Sequence, residues 1–369
     1  MAIQFAKRNV SVTFVIMAGG RGERLWPLVR SATPKVCLSR NGRQTLLQAT
    51  IERLRPVWPT ADWLIVTTRE QAAAVRDGLP APLRRSVLVE PQGKNTAACI
   101  TLAAIALATR DPSRVMVVVP ADHWIGQAAA FRRAVRAAVT AAVAHDTIAT
   151  IGIRPTHPHS GLGYLCAGER LGGQRPRIFR LARFVEKPSR ALARRLLRRG
   201  RTYWNSGTFV GTADTFLECV TEWLPDHTRR LIPFARALRP VPRHSGPGRV
   251  FAQQGGRAYR ALEAVSFDHG VMDHLRGGII VEGDFPWADL GSWDAWTRAG
   301  SASARTVTVE SRNVTVVGPR DHLVAAIGVR DLVVVHTPSA TLICRADKTQ
   351  AVREVVKQVC ANPRLVAYR

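Results

Sequence analysis

An apolar, β-branched run, Val12–Met17, breaks directly into Ala18-Gly19-Gly20-Arg21-Gly22. Such a run predicts a buried strand. Three glycines within four positions let backbone amides approach a ligand closely, as a phosphate cradle requires. Arg24 and then Lys35 follow, two cations within reach of the same loop. A strand ending in amide donors and fixed positive charge suits a nucleoside triphosphate, with Ala18, Gly19, Gly20 and Gly22 as the cradle. The loop alone leaves a ligand-free tight turn open as the alternative.

Two common phosphate motifs are excluded. A P-loop needs Gly-Lys followed by Ser or Thr, which occurs nowhere in the chain. A dinucleotide fingerprint wants an acidic residue about 20 residues on. That region here is Asn41-Gly42-Arg43, and the next strand-like run ends in threonines.

Further along, strand-like runs at 63–67, 86–89, 115–119 and 148–153 alternate with helix-like segments at 45–54, 70–77, 96–108 and 128–144. This alternation predicts an α/β domain built on a Rossmann-like, mostly parallel mixed sheet. Gly19, Glu90 and Asp122 then sit at the carboxyl ends of strands, where ligands of such sheets bind. The middle section holding Glu186, Lys187 and Asn205 is expected to form an antiparallel excursion. Residues 239–257, rich in Pro, Gly and Arg, are expected to be an exposed loop. After Trp296, short Val/Ile runs punctuated by turn residues predict a small β-rich module, then a helix over 349–360. The expected division is an N-terminal extension at 1–10, a catalytic domain at 11–298 and a C-terminal module at 305–369.

Composition narrows the class. A hydrophobic fraction of 46% suits a soluble, well-cored protein, and no apolar run approaches the roughly 18 residues of a membrane span. Lys7-Arg8 before an apolar run mimics a secretory signal, but cleavage near Ala18 would destroy the loop. Six scattered cysteines without a Cys-x-x-Cys pair indicate a reduced, cytoplasmic protein without structural zinc, its thiols small core residues. The net charge of +26 invites a nucleic-acid reading. Yet only six of the 53 basic residues are lysines, which looks as much like coding bias as like selection for a polyanion surface. The densest run, 190–201, reads as an amphipathic helix with Leu192, Leu196 and Leu197 on one face and arginines in solvent. No nucleic-acid motif accompanies the charge.

The pattern GGxGxRLWP…PK resembles that of the sugar-nucleotide pyrophosphorylases, particularly the mannose-1-phosphate guanylyltransferases. Further segments match that family in order: Glu90-Pro91 with Asn95-Thr96-Ala97, Pro120-Ala121-Asp122-His123, Gly161-Leu162-Gly163-Tyr164 and Phe184-Val185-Glu186-Lys187-Pro188. Then come Trp204-Asn205-Ser206-Gly207, Phe267-Asp268 with Val271-Met272, and Trp287-Ala288-Asp289-Leu290-Gly291-Ser292-Trp293. The resemblance implies attack of mannose 1-phosphate on the α-phosphorus of GTP, giving GDP-mannose and pyrophosphate with Mg²⁺. It also implies a C-terminal left-handed β-helix; no sequence repeat proves one. Some members carry an additional cupin domain. This chain is too short for one, so a single activity is expected.

The nucleophile of that reaction is already an anion, so the protein must supply positioning and charge neutralisation rather than a strong base. The resemblance gives Asp122 and Asp289 to Mg²⁺, as hard oxygen ligands. A helix cap for Asp122 and a turn for Asp289 are the structural alternatives. Arg24 and Lys35 are expected on the β- and γ-phosphates, a surface ion pair being their alternative. Lys187 would balance the sugar phosphate, Glu186 and Asn205 would meet sugar hydroxyls, and Gly163 would let the sugar lie against backbone. A carboxylate can accept both N–H donors of guanine, and Glu90 is placed for this with Asn95 and Thr96 nearby. Glu90 as a cap of the helix beginning near Asn95 stays equally open. Glu23, Val36-Cys37 and Pro158-His159-Ser160-Gly161 depart from the family pattern. Rival readings are a glucose-1-phosphate uridylyl- or thymidylyltransferase and a non-catalytic sugar-nucleotide sensor. The expected partners are the two substrates, without nucleic acid or membrane; a second copy of the chain is left open.

Overall fold

A computed structural model describes residues 10–30, 33–40, 42–238, 255–300 and 304–369. The expected extension at 1–10 therefore lies almost wholly outside the described residues, as does most of the loop expected at 239–257. The end of that loop is ordered: Gly256–Arg260 is a short helix with Tyr259 fully buried.

The centre is a nine-stranded mixed sheet in the order β3-β2-β1-β4-β9-β6-β10-β8-β7. Its parallel half comprises β1 (Val12–Met17), β2 (Asp62–Thr68), β3 (Val87–Glu90) and β4 (Val115–Pro120). β1 and β4 are buried along nearly their whole length, as apolar runs covered on both faces must be. β9 (Thr202–Thr212) inserts antiparallel between β4 and β6 (Ala149–Ile153). β7 (Tyr164–Gly172), β8 (Ile178–Val185) and β10 (Ile279–Gly283) complete the sheet, so the expected excursion is an extension of it.

Helices cover both faces. Leu46–Leu54 and Ala128–His145 pack with one core, with Phe14, Ile16 and Val117. Asn95–Ala108 and Ala213–Trp223 pack with the other, with Val15, Val66 and Met116. Asn95–Ala108 is buried nearly all round, because its Ala-rich surface meets the sheet on one side and further helices on the other. Arg190–Arg199 buries Ala193 and Leu196 and leaves its arginines in solvent, as its pattern predicts.

Two elements escape the sequence pattern. β5 (His123–Ile125) and β11 (Trp287–Asp289) form a separate antiparallel ribbon that pairs His123 with Asp289. Three-residue strands carry too little periodicity to be read from sequence.

The C-terminal module is a short solenoid. β12 (Arg305–Val309) stacks parallel on β14 (Leu323–Ile327), and β13 (Arg312–Val317) on β15 (Arg330–Thr337). Arg305 lies opposite Leu323 and Arg312 opposite Arg330, the same sequence offset in both pairs. The repeat is thus one of backbone rise, not of residue identity. β16 (Ala340–Arg345) closes the module antiparallel to β15. The expected helix begins later than 349, as Val352–Ala361 after a tighter turn at Ala346–Ala351. Val317, Val333, Val335, Val352 and Val359 share one core with Leu25, Trp26, Trp293 and Trp296. Trp26 Nε1 donates to the Tyr368 carbonyl at 2.9 Å and Trp293 Nε1 to the Trp26 carbonyl at 3.0 Å. The module is therefore welded to the segment following the glycine loop.

The cysteines differ from expectation. All six are free, but only Cys99 is fully buried and Cys360 is exposed.

Candidate active site

The glycine loop is held from below. The Ala18 N–H donates to Val66 O and its carbonyl accepts from Thr67 Oγ1, each at 2.8 Å, prolonging the β1–β2 pairing past the strand end. Gln71 Nε2 fixes the Gly20 carbonyl at 2.8 Å. Gly22 has φ +60°, and a Cβ there would lie 2.8 Å from Lys35 Cβ. Only glycine lets this loop close against the turn that carries Lys35.

Lys35 sits between two carboxylates. Its Nζ lies 2.5 Å from Asp122 Oδ2 and 3.6 Å from Asp289 Oδ1. Burial disfavours the ammonium, but the carboxylates outweigh it and hold Lys35 above its usual range. Burial likewise works against ionised Asp122, and Lys35 with His123 still keeps it below the ordinary carboxylate range. The β5–β11 ribbon brings the two aspartates together, from positions far apart in the chain. His123 Nδ1 accepts from Trp287 Nε1 at 3.3 Å, which leaves Nε2 facing Asp289 Oδ1 at 3.9 Å. Asp122 leads into β5 and caps no helix, and Asp289 closes a strand. Neither structural alternative for the pair is what the fold contains.

Arg24 is half-buried beside this pair. Its NH1 donates to Gln350 Oε1 of the C-terminal module at 3.0 Å. Burial, and then Arg353, lowers its guanidinium from the usual range, against Asp289. Glu23 faces Arg21 at 3.7 Å.

The other end of the cleft is a hydrogen-bonded set. Asn205 Nδ2 donates to Asp268 Oδ1 at 2.5 Å, and its Oδ1 accepts from Thr150 Oγ1 and the Gly207 N–H, both at 3.1 Å. Only one amide hydrogen of Asn205 is left for a ligand. Lys187 Nζ pairs with Glu186 Oε1 at 2.5 Å, and Lys187 holds a left-handed backbone, φ 39°. A non-glycine residue there carries strain of the kind that gathers at binding sites. Burial, with Glu186 adding to it, pushes Asp268 up to about 6. At Gly163 a Cβ would fall 2.6 Å from Phe184 Cζ and 2.9 Å from Glu186 Oε2.

One open cleft of about 1390 Å³ joins both ends. Gly19, Gly20, Gly22, Arg24, Lys35, Asn95, Thr96, Asp122, Gly163, Glu186, Lys187, Asn205 and Asp289 all line it. Ala18 and Glu90 do not: they lie beneath the loop. The Glu90 carboxyl is buried 3.7 Å from where a Gly19 Cβ would stand, and it accepts from Tyr259 Oη. Burial, only partly offset by that hydrogen bond, pushes it up to about 7. It caps no helix, because Lys94 is the N-cap of Asn95–Ala108. Asn95 accepts from the Thr96 N–H, and Thr96 Oγ1 from the Phe267 N–H, tying this helix start to the Asp268 turn.

Sequence reasoning missed Asp268 as a site residue although Phe267-Asp268 stood among the matching segments. It missed Gln350 and Arg353 altogether, and no local pattern marks them. Among the described residues no cluster of three or more His, Cys, Asp or Glu is arranged for a metal, so Asp122 and Asp289 stand as a pair.

The nucleotidyl transferase family model matches residues 13–306, and that of the MannoseP isomerase/GMP-like beta-helix domain matches residues 304–359. A putative mannose-1-phosphate guanylyltransferase of Vibrio cholerae serotype O1 is 34% identical over 360 residues, covering 95% of this chain and 75% of its own length. A mannose-1-phosphate guanylyltransferase of Escherichia coli K12 is 36% identical over 361 residues, covering 95% and 74%. A crystal structure described as a mannose-1-phosphate geranyltransferase from Thermus thermophilus superposes with a TM-score of 0.78 at 33% identity, covering 95% of this chain and 99% of that one.

Proposed function

The chain belongs to the nucleotidyl transferase family and, within it, to the mannose-1-phosphate guanylyltransferases, and from that premise we infer that it joins mannose 1-phosphate and GTP into GDP-mannose and pyrophosphate. The observation that carries the reading is the single cleft uniting the glycine loop and its cations with the Glu186, Lys187 and Asn205 set.

In this reading a phosphate oxygen of the sugar attacks the α-phosphorus of GTP. A P–O bond forms there as the bond to the bridging β-oxygen breaks, and the electron pair leaves with pyrophosphate. The nucleophile carries its own charge, so the residues act by positioning and neutralisation. The Gly19–Gly22 amides and Arg24 hold the β- and γ-phosphates, Arg24 through its planar fork. Glu90 and Ala18 support that loop from below, with Asn95 and Thr96 at its base-side wall. Lys187 meets the sugar phosphate, while Glu186 and the free amide hydrogen of Asn205 meet sugar hydroxyls.

The Asp122 and Asp289 carboxylates both approach Lys35 Nζ and both line the cleft, and as hard oxygen donors they would suit a divalent cation. When bound, that cation, which we take as Mg²⁺, neutralises charge developing on the phosphates. Lys35 balances the same two carboxylates in the structure described here. Six free thiols support a reducing compartment, the cytoplasm, and no described helix is long and apolar enough to cross a membrane.

Pyrophosphate release is the direct test, with mannose, glucose and N-acetylglucosamine 1-phosphates crossed against GTP, UTP, dTTP and ATP. Turnover confined to mannose 1-phosphate with GTP is expected. Turnover in another combination would overturn the substrate assignment and keep the reaction class. A folded protein silent in all combinations would defeat the enzymatic reading.

A further inference from the structure

The cleft has a wall supplied by the C-terminal module, outside the short motifs that line the rest of it. Gln350 and Arg353 line it from the C-terminal module, and the helix Val352–Ala361 packs against the turn Glu23–Leu25 that carries Arg24. Thr349, just before them, is buried and donates from Oγ1 to Asp294 Oδ1 at 3.2 Å. The shared core of Trp26, Trp293, Val352 and Val359 fixes this edge from behind.

Two arginines, Arg24 and Arg353, line this wall. Arg24 is half-buried, hydrogen-bonded by Gln350, and its NH2 lies 3.3 Å from where a Gly291 Cβ would stand. Arg353 is exposed toward the same space and forms no side-chain hydrogen bond or ion pair among the described residues. Asp347, the carboxylate that the module brings to this wall, is engaged by Arg345 through two bonds, at 3.0 and 2.9 Å. Asp289, Asp294 and Asp122 offset the repulsion only in part, since burial and then Arg353 still hold the Arg24 guanidinium below its usual range, and an anion joining the two arginines relieves it. A polyphosphate chain, with several strong acceptor oxygens, is the anion that satisfies two guanidinium forks at once.

We propose that Arg353 is a second arginine of the triphosphate site, binding the phosphates that leave as pyrophosphate, and that Gln350 is the positioning residue that aims Arg24 at them. The proposal rests on the nucleotidyltransferase reading above. It makes the C-terminal solenoid part of the active site: the module delivers one phosphate ligand and orients another.

The test separates phosphate binding from substrate identity. Tripolyphosphate, which carries neither base nor sugar, is titrated calorimetrically into the wild-type protein and into Arg353→Met, Arg353→Lys and Gln350→Ala. Arg364→Met, a charge removed from the same module but outside the cleft lining, is the control. Losing one charge-assisted contact weakens binding by about tenfold or more. Arg353→Met is expected to show that loss, Arg353→Lys a smaller one, and Arg364→Met none. Gln350→Ala is expected to weaken binding by a few-fold, roughly the worth of one neutral-partner hydrogen bond. In steady state, Arg353→Met is expected to raise the KM for GTP, and that for pyrophosphate in the reverse reaction, leaving the KM for mannose 1-phosphate unchanged. Circular dichroism and melting temperature verify that each variant folds; if Arg353→Met does not, the Arg353→Lys titration decides. Wild-type tripolyphosphate affinity in Arg353→Met, no wild-type binding at all, or a KM change confined to mannose 1-phosphate would overturn the proposal. Loss of tripolyphosphate in a protein that turns over no mannose 1-phosphate with GTP would uphold the phosphate site while removing the substrate reading.

Discussion

At the loop end of the cleft, charged and polar groups arrive from all along the chain: Arg24 and Lys35, Asp122, Asp289, then Gln350 and Arg353. At the far end nearly all come from the antiparallel strands between Gly163 and Gly207, with Asp268 added. The loop end is an arrangement of full charges, acids against Lys35 and arginine beside arginine. The far end is a network of directed hydrogen bonds centred on Asn205. In the proposed reading the contrast corresponds to two chemical tasks. Neutralising a polyphosphate takes charges that exchange partners when ligand and cation arrive, whereas reading hydroxyls takes donors and acceptors fixed beforehand.

If that division holds, variants at the two ends separate kinetically. Asp289→Ala, at the loop end, is expected to lower kcat by at least about 10²-fold with the KM for mannose 1-phosphate little changed, because metal and charge stabilisation act on the transition state. Saturation kinetics that moved only KM would place Asp289 in ground-state binding and break the comparison.

Both ends also hold a carboxyl lifted by burial, Glu90 to about 7 and Asp268 to about 6. Glu90 binds its proton more tightly when folded than when unfolded, since its ordinary value is 4.5. That proton therefore favours folding below about pH 4.5, and the contribution is lost as pH rises toward about 7. Glu90→Gln, which keeps an acceptor for Tyr259, is expected to match the wild type in stability near pH 4 and exceed it at pH 8, by on the order of 2–3 kcal/mol. Urea denaturation at both pH values measures the gap; an equal gap at both would mean that Glu90 stays ionised beneath the loop.

Asn205→Ala, at the far end, is expected to raise the KM for mannose 1-phosphate by about tenfold, with the KM for GTP unchanged. A rise for GTP instead would show the ends to be coupled through the Thr96–Phe267 hydrogen bond. The smallest effect is expected from Glu23→Thr. Its ion pair with Arg21 is exposed, so stability should move by no more than about 0.5 kcal/mol. Removing an anion beside the loop should lower the KM for GTP by about two- to threefold. Tighter GTP binding by the native Glu23 would reverse the sense of that departure from the family pattern.

Much of this site is legible along the chain because its parts are local. The strand-to-glycine break, the Glu-Lys-Pro run and the Trp-Asn-Ser-Gly run are short patterns whose chemistry is carried by adjacent residues. The apolar runs of β1, β2, β3 and β4 announce buried strands for the same reason. Glu90 stands out as a residue of interest, but its burial under Gly19 and its bond to Tyr259 join positions no local pattern connects. The solenoid is visible as short strands and turns, while its register is not, since stacking constrains spacing more than residue identity.

The residues along the chain were enough for the α/β architecture, the break of the first strand into a glycine loop and the order of the matching segments, because hydrophobic period and turn chemistry act over a few residues. The tertiary structure alone decided that Lys35 lies between Asp122 and Asp289, through a ribbon of two three-residue strands. It alone decided that Asn205 is mostly committed to Asp268, and that Gln350 grips Arg24 from the other end of the chain. Those pairings follow from the packing of apolar faces, which brings distant residues together with no trace in the residues between them.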